Sequence, residues 1–105
     1  MNQGDIILVK YPFSNLTDYK IRPAIVVSKD EFNLKYDVLA CSITSKSKDA
    51  RISLNGSLSE GELDKDSYVN PTKITPLSEE TILQKIGKIK REKLKEVIEA
   101  IKRNF

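Results

Sequence analysis

The sequence predicts a mostly β domain: a small curved antiparallel sheet or partial barrel with an amphipathic helix packed on it at the C-terminal end. Three observations carry this. Short β-branched runs recur between turn residues, hydrophobic spacing changes to three and four only in the final stretch, and 105 residues at 39% hydrophobic content suit one core. A single domain over residues 1–105 is the expectation.

The first element is Asp5-Ile6-Ile7-Leu8-Val9-Lys10, a β-branched run closed by Pro12 that reads as a buried strand. Residues 14–20 (SNLTDYK) have turn chemistry and no apolar period, so they read as a loop. A second strand follows at 23–28 (PAIVVS), and 30–34 makes the next connection. The third strand covers 36–44 and alternates: Leu39, Cys41 and Ile43 point one way, Ala40, Ser42 and Thr44 the other. The stretch 45–66 is mostly polar, with a short strand at 51–54, and Gly56 and Gly61 mark turns around Glu60, Glu62, Asp64 and Asp66. Two short strands at 67–70 and 73–75, separated by Pro71, precede another between 81 and 89. From Arg91 onward Leu94, Val97, Ile98, Ile101 and Phe105 form one stripe of an amphipathic helix, with Glu99 and Arg103 as an i,i+4 pair on its wet face.

Composition removes whole classes of chemistry. With Cys41 alone there is no intramolecular disulfide, and with no histidine a zinc site of the usual Cys/His kind cannot be assembled. Ser-His-Asp triads and Cys-His nucleophiles are excluded, so catalysis would run on carboxylates, Lys, Arg, Tyr or hydroxyls, and no cofactor is expected. The first residues lack a basic region followed by a long apolar run, and no stretch approaches the roughly 18 apolar residues of a membrane span. A cytoplasmic protein is expected. The net charge of +3 divides into +5 from residue 85 onward (eight basic, three acidic) and −2 before it (ten basic, twelve acidic). A solvated helix face accounts for that excess as readily as a polyanion partner does.

Two places can hold chemistry. In Lys20-Ile21-Arg22-Pro23 an arginine opens a buried strand beside a residue with no N–H, and in Ser42-Ile43-Thr44-Ser45-Lys46 a hydroxyl-rich strand end runs into basic residues. By strand parity Thr44 faces away from Leu39, Cys41 and Ile43, and Arg22 shares a face with Ala24, Val26 and Ser28, so both can open into a common groove. Each residue also has an ordinary explanation. An arginine at a strand entrance commonly meets a surface carboxylate, a strand-end threonine commonly reflects β-propensity with a local hydrogen bond, and Cys41 reads as core filler.

The segment from Gly4 through Pro12, Phe13 and Ser14 resembles the opening of MazF/PemK-type toxins. Arg22-Pro23-Ala24-Ile25-Val26-Val27-Ser28 resembles their second strand, and Ser42-Ile43-Thr44-Ser45 the end of their third long strand. Ile82-Leu83-Gln84-Lys85-Ile86-Gly87-Lys88-Ile89 and the helix after it resemble their C-terminal ending. The similarity runs through the whole chain in order; the polar stretch 46–66 is where it fades.

The resemblance implies an SH3-like, MazF/CcdB-like curved sheet, usually paired into a two-fold dimer. It implies a metal-independent, sequence-preferring ribonuclease acting on single-stranded mRNA, restrained by a co-expressed antitoxin whose C-terminal segment crosses the RNA groove. Arg22 and Thr44 occupy the positions of the family's catalytic arginine and threonine, and 14–20 those of its mobile first loop. A guanidinium fork matches two phosphate oxygens and can clamp charge growing in the transition state, and a threonine hydroxyl can add one hydrogen bond. The family view also gives the arginine a part in proton transfer, for which a pKa above about 12 makes it a poor base. Around this pair Lys20, Ser28, Ser45, Lys46 and Lys48 are candidate RNA contacts, and Tyr11, Phe13 and Tyr19 candidate stacking faces for unpaired bases. Two other readings share the fold: a toxin that binds a protein, as CcdB-type gyrase poisons do, and a noncatalytic RNA-binding or regulatory domain.

Overall fold

The computed structural model describes residues 1–12, 18–46 and 52–105. Its strands are β1 (Asp5–Pro12), β2 (Tyr19–Val26), β3 (Val38–Thr44), β4 (Ile52–Ser53), β5 (Leu58–Glu60), β6 (Tyr68–Leu77) and β7 (Ile82–Ile89). Helix α1 (Asp30–Lys35) follows β2, α2 (Arg91–Asn104) ends the chain, and one turn of 3-10 helix, Glu79–Thr81, joins β6 to β7. All seven strands lie in one antiparallel sheet, ordered β4-β6-β3-β2-β1-β7-β5.

The sheet is a half-barrel because both of its faces are buried. One face carries Ile6, Ile25, Cys41, Ile43, Val69 and Ile89, against which α2 sets Val97 and Ala100. The opposite face carries Ile7, Val9, Ala24, Val26, Val38, Ala40 and Leu77, with Tyr11 and Ile82 packed on them. Leu77 and Ile82 stand at the two ends of the β6–β7 connection, so that connection helps close the second core. Register shifts in β1–β7, between Ile6 and Ile7 and between Leu8 and Val9, are irregularities of the kind that bend a sheet in this way. Each fully buried Ile or Val contributes about 1.5–3 kcal/mol relative to its exposed state, so two cores in one small sheet explain why both parities of β1, β2 and β3 are apolar.

Several expectations are corrected. Tyr19 and Lys20 belong to β2, where they pair with Pro12 and Tyr11 of β1, not to the preceding loop. The expected connection at 30–34 is helical; Asp30 and Glu31 in its first turn and Lys35 in its last complement the helix dipole. The two strands expected around Pro71 are one strand, β6, because the proline sits where the ladder slips: Cys41 pairs with Ile74 but Ile43 with Val69. β5 lies inside the stretch read as polar and pairs with β7. Phe105 is 80% exposed and falls outside the α2 stripe. Among the described residues the ion pair on α2 joins Lys93 to Glu96 at 2.9 Å, in place of Glu99 and Arg103.

Candidate functional site

The β2–β3 ladder is short. It pairs Val26 with Ala40, Ile25 with Cys41 and Ala24 with Ser42, and there it ends. The next residue of β2 is Pro23, which has no N–H to give to β3. From Pro23 back to Tyr19 the strand is held by β1 alone, with Arg22 opposite Val9. Running the register on past Ala24 and Ser42 sets Arg22 across from Thr44, on strands no longer bonded to each other. A groove of about 550 Å³ opens here, and Arg22, Pro23, Ile43, Thr44, Ser45 and Lys46 form one side of it.

Arg22 is exposed, and the ion pairs among the described residues leave it without a carboxylate. Among the described residues its guanidinium therefore keeps its donors for an anion. Thr44 is half-buried, and its Oγ1 accepts a hydrogen bond from the Lys46 N–H at 3.1 Å. That bond uses an oxygen lone pair and leaves the hydroxyl proton available to donate. The same bond turns the chain after β3, so that Ser45 and Lys46 border the groove.

The facing wall was missed at the level of sequence. Glu62, Leu63, Asp64 and Lys65 line it, so two carboxylates and a further cation share the groove with Arg22 and Lys46. The wall is anchored at both ends. A Cβ on Gly61, whose φ is +75°, would overlap the Ile86 carbonyl oxygen, and a Cβ on Gly87 would lie 2.6 Å from the Glu60 carbonyl oxygen. At the other end the Asn55 side chain accepts the Ser67 N–H at 3.0 Å. The acidic cluster was visible in the sequence, but only these long-range contacts bring it opposite Arg22.

Other candidates stand elsewhere. Ser28 is 8% exposed and stands outside the groove lining; its hydroxyl donates to the Asn33 side chain and accepts the Leu39 N–H at 3.0 Å, so it ties α1 to β3. Tyr11 is half-buried against the second core with its hydroxyl 3.2 Å from Ser42 Oγ, and it is not part of the groove lining. Tyr19 is 54% exposed and carries the Lys10 ammonium 4.0 Å above its ring centre. Lys20 is exposed on β2, beyond the groove lining. Phe13 and Lys48 lie outside the described residues.

The Asp5–Lys85–Glu60 cluster and Cys41 lie apart from the groove. Asp5 is 3% exposed; its Oδ2 accepts the Asn2 N–H at 2.9 Å, while Oδ1 receives no well-formed hydrogen bond. The charge there is met by the Lys85 ammonium, 3.4 Å from Asp5 Oδ1 and 3.3 Å from Glu60 Oε2. The hydrogen bond to Glu60, then the charge of Asp5, raises the Lys85 pKa against a smaller opposing effect of burial. Burial pushes the Cys41 thiol up to about 11, which makes it an inert core residue at neutral pH. Among the described residues no group of three or more Cys, Asp and Glu side chains is placed to hold a metal ion.

Residues 2–105 match the family of PemK-like, MazF-like toxins of type II toxin–antitoxin systems. The chain belongs to that family. A solved structure, an endoribonuclease in complex with its cognate antitoxin from Mycobacterial species, is similar to this PemK-like chain with a TM-score of 0.68 and 16% identity, over 98% of this chain and 90% of that one. At that identity the likeness is one of fold, and it extends over the whole half-barrel. No curated protein matches the toxin in sequence. Among the described residues no helix is long and apolar enough to cross a membrane.

Proposed function

We propose that this toxin is a metal-independent endoribonuclease that cuts single-stranded RNA in the cytoplasm, with Arg22 and Thr44 as its catalytic residues. The observation that carries this reading is the pairing itself: a guanidinium without a carboxylate partner among the described residues and a hydroxyl whose proton can be donated border one groove, across a gap in the sheet. Cleavage through the RNA 2′-hydroxyl forms a 2′-O–P bond and breaks the P–O5′ bond, leaving a cyclic phosphate and a 5′-hydroxyl. One proton leaves the 2′-oxygen and one reaches the 5′-oxygen. In between, the phosphorus carries five oxygens, and the charge on the non-bridging pair grows. Arg22 meets that charge with its two-pronged fork, and Thr44 adds one hydrogen bond, a form of stabilisation that is greatest in the transition state. Ser45, Lys46 and Lys20 are placed by the same reading along the RNA backbone.

The partner in this reading is an acidic antitoxin that covers the groove, as the antitoxin of the similar Mycobacterial endoribonuclease accompanies that enzyme. Two copies of the chain are expected to pair with two-fold symmetry through sheet surface and loops near β3, giving about 24 kDa, twice the 11.9 kDa of one chain. Light scattering at micromolar concentration tests the dimer. The activity is tested by incubating the toxin with a long single-stranded RNA in excess EDTA and mapping the new ends. Fragments ending in a cyclic phosphate support the reading; intact RNA overturns it.

A further inference from the structure

The catalytic groove explains how one phosphate is gripped; which way the rest of the RNA backbone runs is set by charge outside it. The wall on one side carries Glu62 and Asp64 with a single cation, Lys65, a net charge of −1, and neither carboxylate has a hydrogen bond or ion pair among the described residues. Two acceptor-only, negatively charged side chains repel a phosphodiester chain. The backbone has reason to leave Arg22 in the other direction, across β3 towards β6.

That direction holds a cation not used by the mechanism above. In β6, Ile74 packs on the core beneath α2, while Leu77 belongs to the core of the opposite face and Thr75 pairs with Ala40 of that core. Strand alternation therefore places Lys73 on the face of Ala40, Ser42 and Thr44. Carrying the Cys41–Ile74 register one step further sets Lys73 beside Ser42, whose other neighbour is Ala24 of β2 and whose hydroxyl meets Tyr11. At this point β6 slips: from Ile74 to Val69 it advances five residues while β3 advances two, from Cys41 to Ile43, so β6 holds three extra residues. The Asn70 side chain stabilises the slip by accepting the Thr72 N–H at 2.9 Å and the Thr72 hydroxyl at 2.6 Å. Irregularities of this kind commonly re-aim a side chain next to an active site. Lys73 is exposed and has no ion pair among the described residues. Arg22 on β2 and Lys73 on β6 are two interstrand steps and two residues along the strands apart, roughly 12 Å, within reach of nearby phosphates of one strand.

We propose that Lys73 is a phosphate contact of the RNA, and that the chain passes from Arg22 over Ser42 to Lys73, away from the Glu62–Asp64 wall. This rests on the ribonuclease reading, and the test separates the two. Binding of a mixed-sequence single-stranded oligonucleotide with 2′-O-methyl groups throughout, which cannot be cut through its 2′-oxygens, is measured by fluorescence anisotropy over a range of salt concentrations. Neutralising one phosphate contributes about 0.7 to the slope of log affinity against log salt for a single strand. Lys73→Ala is expected to reduce the slope by about that amount and to weaken binding alike across base sequences. Lys73→Arg keeps the slope, and Glu62→Gln does not reduce it. An unchanged slope in Lys73→Ala overturns the proposal while leaving the ribonuclease reading intact, and so does a loss confined to one base sequence. Wild-type protein that binds no oligonucleotide overturns both.

Discussion

Thr44 faces Arg22 across the opening left where β2 and β3 stop bonding, and its Oγ1 is fixed by the Lys46 N–H at 3.1 Å. The hydroxyl thus has two roles, one local and one towards the ligand, and both depend on the same oxygen. Thr44→Ser keeps both and is expected to retain most of the cleavage rate. Thr44→Val keeps the shape and loses the donor, so its rate should fall roughly tenfold, a loss of about 1.4 kcal/mol in line with a single hydrogen bond to a charged group. Initial rates of both variants, with thermal melts to confirm folding, check this; equal rates for Thr44→Val and wild type would remove Thr44 from the mechanism.

The groove's acidic wall depends on the contact between Gly61 and the β7 backbone. Gly61→Ala brings a Cβ to a positive φ and into the Ile86 carbonyl, so it is expected to cost about 2 kcal/mol or more through left-handed strain plus overlap. Gly56→Ala has the same sign of φ and nothing within 4 Å of its Cβ, so it should cost less. Chemical denaturation of the two variants compares them directly, and a Gly56→Ala loss as large as that of Gly61→Ala would show that the close approach is not what matters.

Alkaline pH should weaken the fold in two separable ways. Lys85 has a folded-state pKa raised above its ordinary 10.5, so its ion pairs stabilise fully below that value and are lost as pH rises through the folded pKa. Cys41 acts from about 9.0 upward, because the unfolded thiol ionises there while the buried one does so only near 11. Lys85→Met removes the first contribution and leaves the second. Its thermal midpoint should lie below that of wild type at neutral pH, and the gap should close in strongly alkaline buffer; a gap independent of pH would contradict the assignment.

The antitoxin should compete with RNA for the groove. Acidic side chains of a flexible peptide can reach Arg22 and Lys46, and apolar ones can pack on Pro23, Ile43 and Leu63 in the same groove. Competition is expected to weaken as salt rises, since exposed charges are screened beyond roughly 8 Å at physiological ionic strength. Binding of labelled RNA titrated with the peptide at several salt concentrations measures it; simultaneous binding without loss of RNA affinity would place the antitoxin elsewhere.

The parts of this fold that follow local rules were legible in the sequence. Alternation along β3 and the stripe Leu94, Val97, Ile98, Ile101 in α2 both match the packing. What local pattern cannot show is that the face shared by Arg22, Ala24, Ala40 and Thr44 also holds a second buried core, because that core is built from strands distant in sequence. Helix α1 is too short to display a period and is held by tertiary bonds, Asn33 to the Met1 and Ser28 carbonyls. The sequence of β6 looks like two strands because Pro71 is a breaker unless the ladder slips around it. Parity and family resemblance located Arg22 and Thr44, whereas the wall of Glu62 and Asp64 depends on contacts distant in sequence.

In the proposed reaction Arg22 holds the phosphate being cut. The single-turnover rate of RNA cleavage by Arg22→Ala in excess EDTA, set beside wild type and Arg22→Lys at equal thermal stability, measures that role. Removing one donor to growing oxyanion charge commonly costs about 3 kcal/mol, so a loss of roughly a hundredfold or more is predicted for Arg22→Ala. Arg22→Lys should recover only part of it, because an ammonium keeps the charge and lacks the fork. Cleavage by Arg22→Ala at the wild-type rate, from a folded protein, would contradict the account.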